Sequence, residues 1–480
     1  MRRSEFGSSI QWAVILGLLT WSGAGAAAAQ HVHGFGCSIA CGGSIREAGG
    51  SAFSGLPSLF ADDTPIASPF RIAGRWDFTA TDGTSTGERG DPITLTYGVV
   101  PDGTFIGPRS GQPAGEGTGP SGLNSNLQNF LNNWVGPEAT WSALIDDAYQ
   151  RWGEISGLTM IREHNDDGST MGGSGSLRGL RDVRADIRIG GRYIDGQAGN
   201  NVLAYNFLPS NGDLVADTGN FAFYGNSTNN YRALRNVFMH EAGHGLGFAH
   251  LQSNNSNALM EPFNNNSFDG PQHDDILAAQ RNYGDALEKN GGNDDITTAT
   301  YLGSLTPMPM TAPTASLAIG TNAQDHTTFV GANQTDFVSI DGGSDKDWYG
   351  FTLDARGQVT VQLDPRGPTY HEGPEGGTQS LLNTKALADL VVQLHDSTGG
   401  FIAIGNLTGA GFGETISRIL EAGDYYAFIR TQAGSANDVQ MYELNISAVL
   451  IPEPTSWMVF AGLVGVGLGR RRSASPVSSN

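Results

Sequence analysis

Residues 240–250 read HEAGHGLGFAH and contain three histidines and one glutamate. If the first part of this segment is helical, His240 and His244 project from the same face, because residues four apart are neighbours on a helix. Two imidazole nitrogens at that spacing can bind one Zn²⁺ ion at about 2.0–2.1 Å. Glu241 follows the first histidine and can act on a water molecule as a general base without binding the ion.

His250 is not at helical spacing from His244, so the chain must leave the helix and turn back to bring it to the same ion. Gly247 stands where this turn is needed, and glycine tolerates the positive φ of a tight reversal. Three neutral histidines leave the fourth position of a tetrahedral Zn²⁺ open, as catalytic sites require. The pattern therefore predicts one catalytic zinc rather than a helix with ordinary surface histidines.

The elements that must hold this site are visible in the apolar patterning. One stripe at three-to-four spacing predicts a core-facing helix: Trp141, Leu144, Ile145, Ala148 and Trp152. Residues 227–230 offer N-cap candidates for a helix from about Tyr231 through His244. The segments PITLTYGVV, ADIRIGG and LAYNFLP are typical of strands. After a linker at 288–299, residues 300–449 show short strands separated by Gly, Asp and Pro turns, which predicts an all-β sandwich or jelly-roll domain.

The N-terminus has the form of an export signal. Residues 1–29 begin with two arginines, continue with a short apolar core and end in small residues, and that core is too short to span a bilayer. Residues 30–70 are rich in Gly, Ser and Ala and are interpreted as a linker or short pro-segment. They contain both cysteines, Cys37 and Cys41, for which a local disulfide or idle thiols are favoured over a thiolate bound to zinc.

The overall charge argues against nucleic acid as a partner. The 480 residues include 48 Asp and Glu against 27 Lys and Arg, which gives a formal charge of −21. Phosphate binding needs clustered lysines and arginines, and no long basic run occurs between the termini.

The zinc segment resembles a known family signature. HEAGHGLGFAH, followed by Met260 in ALMEPF, is similar to the metzincin signature with its Met-turn, and within the metzincins to the matrixins. ADIRI, LAYNFLP and HDDILAAQRNYG resemble the matrixin sheet strand, upper edge strand and C-terminal helix, so the likeness spans about residues 90–287. It implies an α+β metzincin-type catalytic domain over residues 71–287, with a mixed twisted sheet and about three helices.

The resemblance also implies roles for single residues. Met260 would form an apolar floor beneath the zinc, and Pro262 and Phe263 would form a wall of the substrate pocket. Asp275 would hydrogen-bond beneath the Met-turn. Tyr205 stands where many matrixins have a histidine for a structural zinc, so no second zinc is expected. The family's cysteine switch is missing.

Three further carboxylates lie where matrixins often bind calcium: Asp186, Asp213 and Asp217. Acidic residues near turns suit Ca²⁺. An ordinary solvated-loop role explains them equally well, and both interpretations stay open at this point.

The C-terminal part carries two more resemblances. DKDWYGFTL, LVVQLHDSTGG and LEAGDYYAFI are similar to bacterial pre-peptidase C-terminal domains, which accompany secreted proteases. Residues 450–480 resemble a PEP-CTERM sorting tag, with Pro452-Glu453-Pro454, a short apolar span and a basic end at 470–472. This tag implies an exosortase-type partner, transient membrane contact and delivery to the surface of a Gram-negative-type bacterium. A plain tail anchor is the alternative.

Together the resemblances imply a secreted or surface-sorted zinc-dependent endopeptidase that acts on proteins or peptides, with a zinc-activated water and Glu241 as general base. One alternative is a catalytically silent adhesion or matrix scaffold protein. Another is a zinc hydrolase that acts on non-peptide substrates.

Overall fold

The structure is a computed structural model. It describes residues 30–31, 70–109, 112, 115–196, 202–254, 256–309, 315–323, 329–373, 377–433 and 439–451. The predicted export signal, Cys37, Cys41 and all but the first two residues of the predicted sorting tag lie outside this part. No helix within the described ranges is both long enough and apolar enough to cross a membrane.

A five-stranded mixed sheet forms one layer of the first domain. Its strands are β2 (Ile93–Val99), β3 (Leu158–Arg162), β4 (Ile187–Arg192), β5 (Ala204–Asn206) and β6 (Leu214–Asp217), in the order β3-β2-β4-β6-β5. The first four strands in that order run parallel, and β5 is antiparallel at the edge. The predicted mixed sheet is therefore confirmed, and LAYNFLP supplies its edge strand.

The helices pack on this sheet. They are α1 (Leu127–Trp134), α2 (Glu138–Glu154), α3 (Phe221–Tyr224), α4 (Thr228–Gly245) and α5 (His273–Tyr283). The three longest, α2, α4 and α5, match the three that were expected. All five residues of the predicted apolar stripe of α2 are buried, and Trp152 donates from its indole N–H to the carbonyl of Met239 in α4 at 3.0 Å. The stripe therefore fixes α2 against the helix that carries the histidines.

Two very short strands border the zinc segment. β7 is Gln252–Ser253 and β8 is Phe263–Asn264. β8 pairs antiparallel with β1 (Gln30–His31), which begins at the predicted end of the export signal. The chain between His250 and α5 is thus bordered by strand pairings on both sides of the Met-turn.

The second domain is the predicted β-sandwich. One sheet contains β10 (Ala315–Ile319), β11 (Val338–Ile340), β13 (Gly357–Pro365), β18 (Glu414–Leu420) and β20 (Gln440–Leu450). The other contains β9 (Thr300–Leu305), β12 (Lys346–Leu353), β16 (Leu390–Asp396), β17 (Phe401–Gly405) and β19 (Gly423–Thr431). Alternate residues of β13 are buried, and apolar side chains of both sheets share one core.

The hairpin β14 (Thr369–Gly373) and β15 (Ser380–Asn383) leaves this sandwich and reaches the first domain. The expected linker at 288–299 joins the two domains, but it is packed rather than extended: Glu288 and Asn293 are buried, and the carbonyl of Asn293 accepts the N–H of Trp348 at 2.9 Å. The two domains are therefore in close contact.

Candidate metal centre

Helix α4 carries the first two histidines and ends in the predicted turn. Its first residues include three with positive φ, Asn229 to Tyr231, so its regular part starts at about the expected place. After Gly245 the chain reverses at Gly247, whose φ is +100°. The N–H of Phe248 then donates to the carbonyl of Gly243 at 2.9 Å, which directs the following residues back along the helix. The role predicted for Gly247 is confirmed.

This turn brings His250 to the other two histidines. Nε2 of His250 lies 3.2 Å from Nε2 of His240 and 3.1 Å from Nε2 of His244. All three rings are buried, at 3% exposure or less. Ligand nitrogens at about 2.0–2.1 Å from one tetrahedral ion lie about 3.3 Å from each other. The three Nε2 atoms therefore have the spacing of three zinc ligands.

The outer ring nitrogens set the tautomer of two of these histidines. Nδ1 of His240 lies 2.7 Å from the carbonyl oxygen of Leu259, and Nδ1 of His244 lies 2.6 Å from that of Phe248. A carbonyl oxygen can only accept, so each Nδ1 carries the proton and each Nε2 is the unprotonated nitrogen. Burial and the neighbouring His250 also lower the pKa of His244 to about 3. Both observations favour neutral rings that are ready to bind a metal.

Glu241 is fully buried beside these rings, and neither of its carboxylate oxygens has a hydrogen-bond partner within the described residues. Burial raises the pKa of Glu241 to about 8, against the lowering effect of the Arg109 charge. A buried carboxylate without a donor is costly unless a cation or a water molecule accompanies it. Three neutral histidines and this carboxyl together fit a zinc ion and a water molecule, and no other group in the site satisfies Glu241.

The Met-turn lies directly under helix α4. Met260 is buried, and a Cβ added to Gly243 would come within 2.5 Å of its sulfur, so the methionine packs against the helix at the level of the histidines. Asp275, on α5, accepts the backbone N–H groups of Leu259 (2.6 Å) and Met260 (3.0 Å). The expected hydrogen bonds from Asp275 to the Met-turn are confirmed. Leu259 is also the residue whose carbonyl orients His240.

The predicted pocket wall follows the Met-turn. Pro262 is buried, Phe263 is half-buried, and Phe263 begins β8. Both residues follow Met260 closely in the chain, and Phe263 lies in the strand that pairs with β1. Their role as a wall of the substrate pocket stays a prediction.

The three candidate calcium carboxylates are engaged by protein donors. Asp186 accepts from Thr96 and Ala80, Asp213 from Gly172, Ser176 and Arg188, and Asp217 from several N–H groups at 194–196 and 219. Among the described residues, none of them belongs to a group of three potential ligands within reach of one ion. These contacts are those of carboxylates that order loops, and they give no support to calcium at these positions.

One acidic group of the described chain does have ligand spacing. Carboxylate oxygens of Glu288, Asp345 and Asp347 lie within 4.8 Å of one another at the junction of the domains. Glu288 gave no signal in the sequence, because it falls in the segment interpreted as a linker. Only the fold brings it to the start of β12.

Tyr205 occupies a buried ionic network. Glu116 accepts from Arg192 and from Arg109 (2.9 Å), and the Tyr205 hydroxyl lies 3.2 Å from Glu116. The Arg109 guanidinium also covers the Tyr205 ring at 4.1 Å. This network joins Arg109 and Glu116 to β4 and β5. Nothing in the sequence identified it, because its members are far apart in the chain and follow no periodic pattern.

One protein-family model matches part of the chain. Residues 132–284 match the family model of the matrixins, and this range contains the three histidines, Glu241 and Met260. The match supports a zinc metallopeptidase in general. No curated protein matches the chain.

Two solved structures are similar to parts of the chain. The pre-peptidase C-terminal domain of a collagenase from Bacillus anthracis is 15% identical, with 31% of this chain and 93% of that chain covered and a TM-score of 0.18. PliG from Aeromonas hydrophila, a periplasmic inhibitor of g-type lysozyme, is 14% identical over 31% of this chain and 98% of that chain, with a TM-score of 0.16. TM-scores this low carry no argument about fold or function.

Replacement of Gly247 should destabilise the domain. A Cβ at this position would lie 2.0 Å from the carbonyl oxygen of Gly74, in addition to the strain of a positive φ. We expect Gly247→Ala to lower the free energy of unfolding by more than about 2 kcal/mol and to lower zinc content. Gly83→Ala is the matched control, since Gly83 also has positive φ (+64°) but nothing within 4 Å, and it should cost about 1 kcal/mol. Urea unfolding measures the free energy of unfolding of each variant, and equal losses of this free energy in the two variants would contradict this explanation of the turn.

Replacement of Asp275, the carboxylate under the Met-turn, should also destabilise the domain. Asp275→Ala removes the acceptor for the N–H groups of Leu259, Met260 and Gln272 and should cost about 3 kcal/mol. Asp275→Asn keeps one oxygen and should cost less, because two of these donors share Oδ2. Urea unfolding of both variants measures the difference. An alanine variant as stable as the wild type would show that these bonds do not hold the turn.

Proposed function

We propose that the protein is a secreted or surface-sorted zinc-dependent endopeptidase. The observation that carries the proposal is the convergence of three buried Nε2 atoms beside a buried glutamate: that of His250 lies 3.2 Å from that of His240 and 3.1 Å from that of His244. The matrixin match over the same segment supports a metallopeptidase, and the endopeptidase activity is our extension of it.

His240, His244 and His250 would hold the zinc ion. When bound there, zinc polarises a carbonyl oxygen and lowers the pKa of a water molecule. Glu241 takes a proton from the attacking water and later donates it to the nitrogen of the departing amine, so the peptide C–N bond breaks while a C–O bond forms. Burial assists this role, because bulk solvent is kept away and the proton transfers between Glu241, the attacking water and the leaving amine stay within the site.

Substrate binding is proposed along the sheet edge. β5 is the last strand of the five-stranded sheet and is antiparallel to its neighbour, so its outer edge can accept a peptide as an added strand. Pro262 and Phe263 would then contact the residue after the cleaved bond. A strand-like peptide suits this edge better than a small non-peptide ester or amide does.

The remaining parts of the proposal concern location. Residues 1–29 would direct export, and residues 450–480 would engage exosortase-type sorting machinery with transient membrane contact, which leads to an extracellular or cell-surface location. The β-sandwich would act as a pre-peptidase C-terminal domain. The sequence patterns at the two termini support these proposals. The formal charge of −21 argues separately against nucleic acid as a partner.

Hydrolysis of casein with and without a chelator separates the peptidase from a silent scaffold protein with the same domains. The intact set of His240, His244, His250 and Glu241 favours the peptidase, because a silenced site has no reason to retain both ligands and base. A panel of esters and amides beside peptides separates it from a hydrolase of other substrates.

Replacement of the general base gives the sharpest test of the proposed mechanism. Glu241→Gln keeps the size of the side chain but cannot take a proton, so we expect zinc content to be unchanged and kcat to fall by about 10³-fold or more. Zinc is measured by elemental analysis and kcat with an internally quenched peptide. Undiminished turnover by the purified variant would rule out Glu241 as the base.

A further inference from the structure

A strand pairing joins the C-terminal domain to the loop that follows His250. β7 begins two residues after His250 and pairs antiparallel with β14, where Glu372 lies opposite Ser253. β14 pairs in turn with β15, so the hairpin of the second domain supplies two strands of a three-stranded sheet. The N–H of Asn254 also donates to the carbonyl of His371 at 3.0 Å. The loop after the third zinc ligand is therefore held from outside by the other domain.

The same loop contacts the Met-turn on its inner side. The backbone N–H of Ser253 donates to Oε1 of Glu261 at 2.7 Å, and the Ser253 hydroxyl donates to the same oxygen. Glu261 stands between Met260 and Pro262 in the chain. A continuous set of contacts thus runs from the hairpin through Ser253 and Glu261 to the predicted pocket wall.

Three buried carboxyls lie on the segments that form this joint. Glu372 of the hairpin, Glu261 of the Met-turn loop and Asp274 of α5 are 4%, 1% and 6% exposed. Within the described residues, three of their oxygens have no hydrogen-bond partner: both carboxyl oxygens of Glu372 and Oδ1 of Asp274. Burial and the Glu261 charge raise the pKa of Glu372 to about 8. Burial, Glu372, Asp275 and Glu261 raise the pKa of Asp274.

A buried carboxyl without a donor avoids its charge by binding a proton. In that form Glu372 carries no charge, whereas in the ionised form it repels the charges of Glu261 and Asp274. The strength of the joint between the hairpin and the active-site loop therefore depends on Glu372 staying neutral.

We propose that Glu372 is a positioning residue for the catalytic site: it holds the hairpin against the loop after His250 and thereby fixes, through Ser253 and Glu261, the wall of the substrate pocket. This inference rests on the proposed function. It makes the C-terminal domain part of the substrate cleft rather than a separable module.

Other contacts hold the two domains in register for this role. Gln272 and Val330 are joined by two hydrogen bonds. The N–H of Val330 donates to the side-chain oxygen of Gln272 at 2.8 Å, and the Gln272 side-chain NH₂ donates to the carbonyl of Val330 at 3.3 Å. The amide of Gln280 donates to the carbonyl of Phe337 at 3.1 Å. Val330 and Phe337 also belong to the apolar core that includes residues of α4. The hairpin is thus one part of a broad contact between the two domains.

The direction of the pH dependence follows from the raised pKa of Glu372. Its value is about 8 when the hairpin is docked, against 4.5 for an exposed glutamate. Docking is therefore strongest below about pH 4.5, weakens as the pH rises towards 8, and changes little above that. For one carboxyl the docking equilibrium changes by up to about tenfold per pH unit in this window. Glu261, whose pKa burial raises to about 7, contributes in the same direction.

The test uses the full zinc-loaded protein and a neutral variant, Glu372→Gln. Hydrogen exchange of the peptide that contains Gln252 to Asn254 is measured between pH 6.0 and 8.5 and corrected for the intrinsic exchange rate. We expect the protection factor of the wild type to fall as the pH rises. In the variant, the fall per pH unit should be smaller by a factor of up to about ten. At pH 8 the variant should also have a lower KM for a quenched peptide, with the same kcat and zinc content.

His371→Ala is the matched control, because His371 lies in the same strand with an exposed side chain and should leave both measurements unchanged. Equal loss of protection in the wild type and in Glu372→Gln would overturn the proposal. If the variant does not fold, a pH-independent protection of 252–254 in the wild type overturns it as well. If the protein hydrolyses no peptide, the proposed function fails while the exchange data still decide whether Glu372 holds the hairpin.

Discussion

The structure depends on one constraint: three neutral imidazoles must present their Nε2 atoms to a single point. Backbone carbonyls meet this constraint for two of the rings, because Leu259 and Phe248 fix the proton on Nδ1. The turn at Gly247 meets it for the third. Each of these backbone groups belongs to a loop, so the loops around α4 must be as well ordered as the helix itself.

The rest of the first domain supplies that order. Trp152 of α2 donates a hydrogen bond to α4, and Asp275 of α5 accepts the N–H of Leu259 in the Met-turn. The carbonyl of Leu259 in turn orients His240. The second domain continues the same arrangement, since its hairpin pairs with the loop after His250. This loop is therefore held by residues that follow it in the sequence, on one side by Glu261 and on the other by the second domain.

Local patterns predicted the parts of the site that depend on spacing within one element. The apolar stripe of α2, the histidines four apart and the glycine at the reversal are all determined by neighbours in the chain. Asp275 and Met260 could be assigned only through the resemblance to a family. The ion pair of Glu116 with Arg192, the packing of Glu288 and the pairing of Ser253 with Glu372 could not be predicted, because each joins residues far apart in the sequence and follows from the tertiary fold.

Anomalous X-ray scattering at the zinc edge from crystals of the protein tests the central claim most directly. The account predicts one strong peak at about 2.0–2.1 Å from Nε2 of His240, His244 and His250. A crystal grown with zinc that shows no peak among these three rings, or shows the rings turned away from one another, would contradict it.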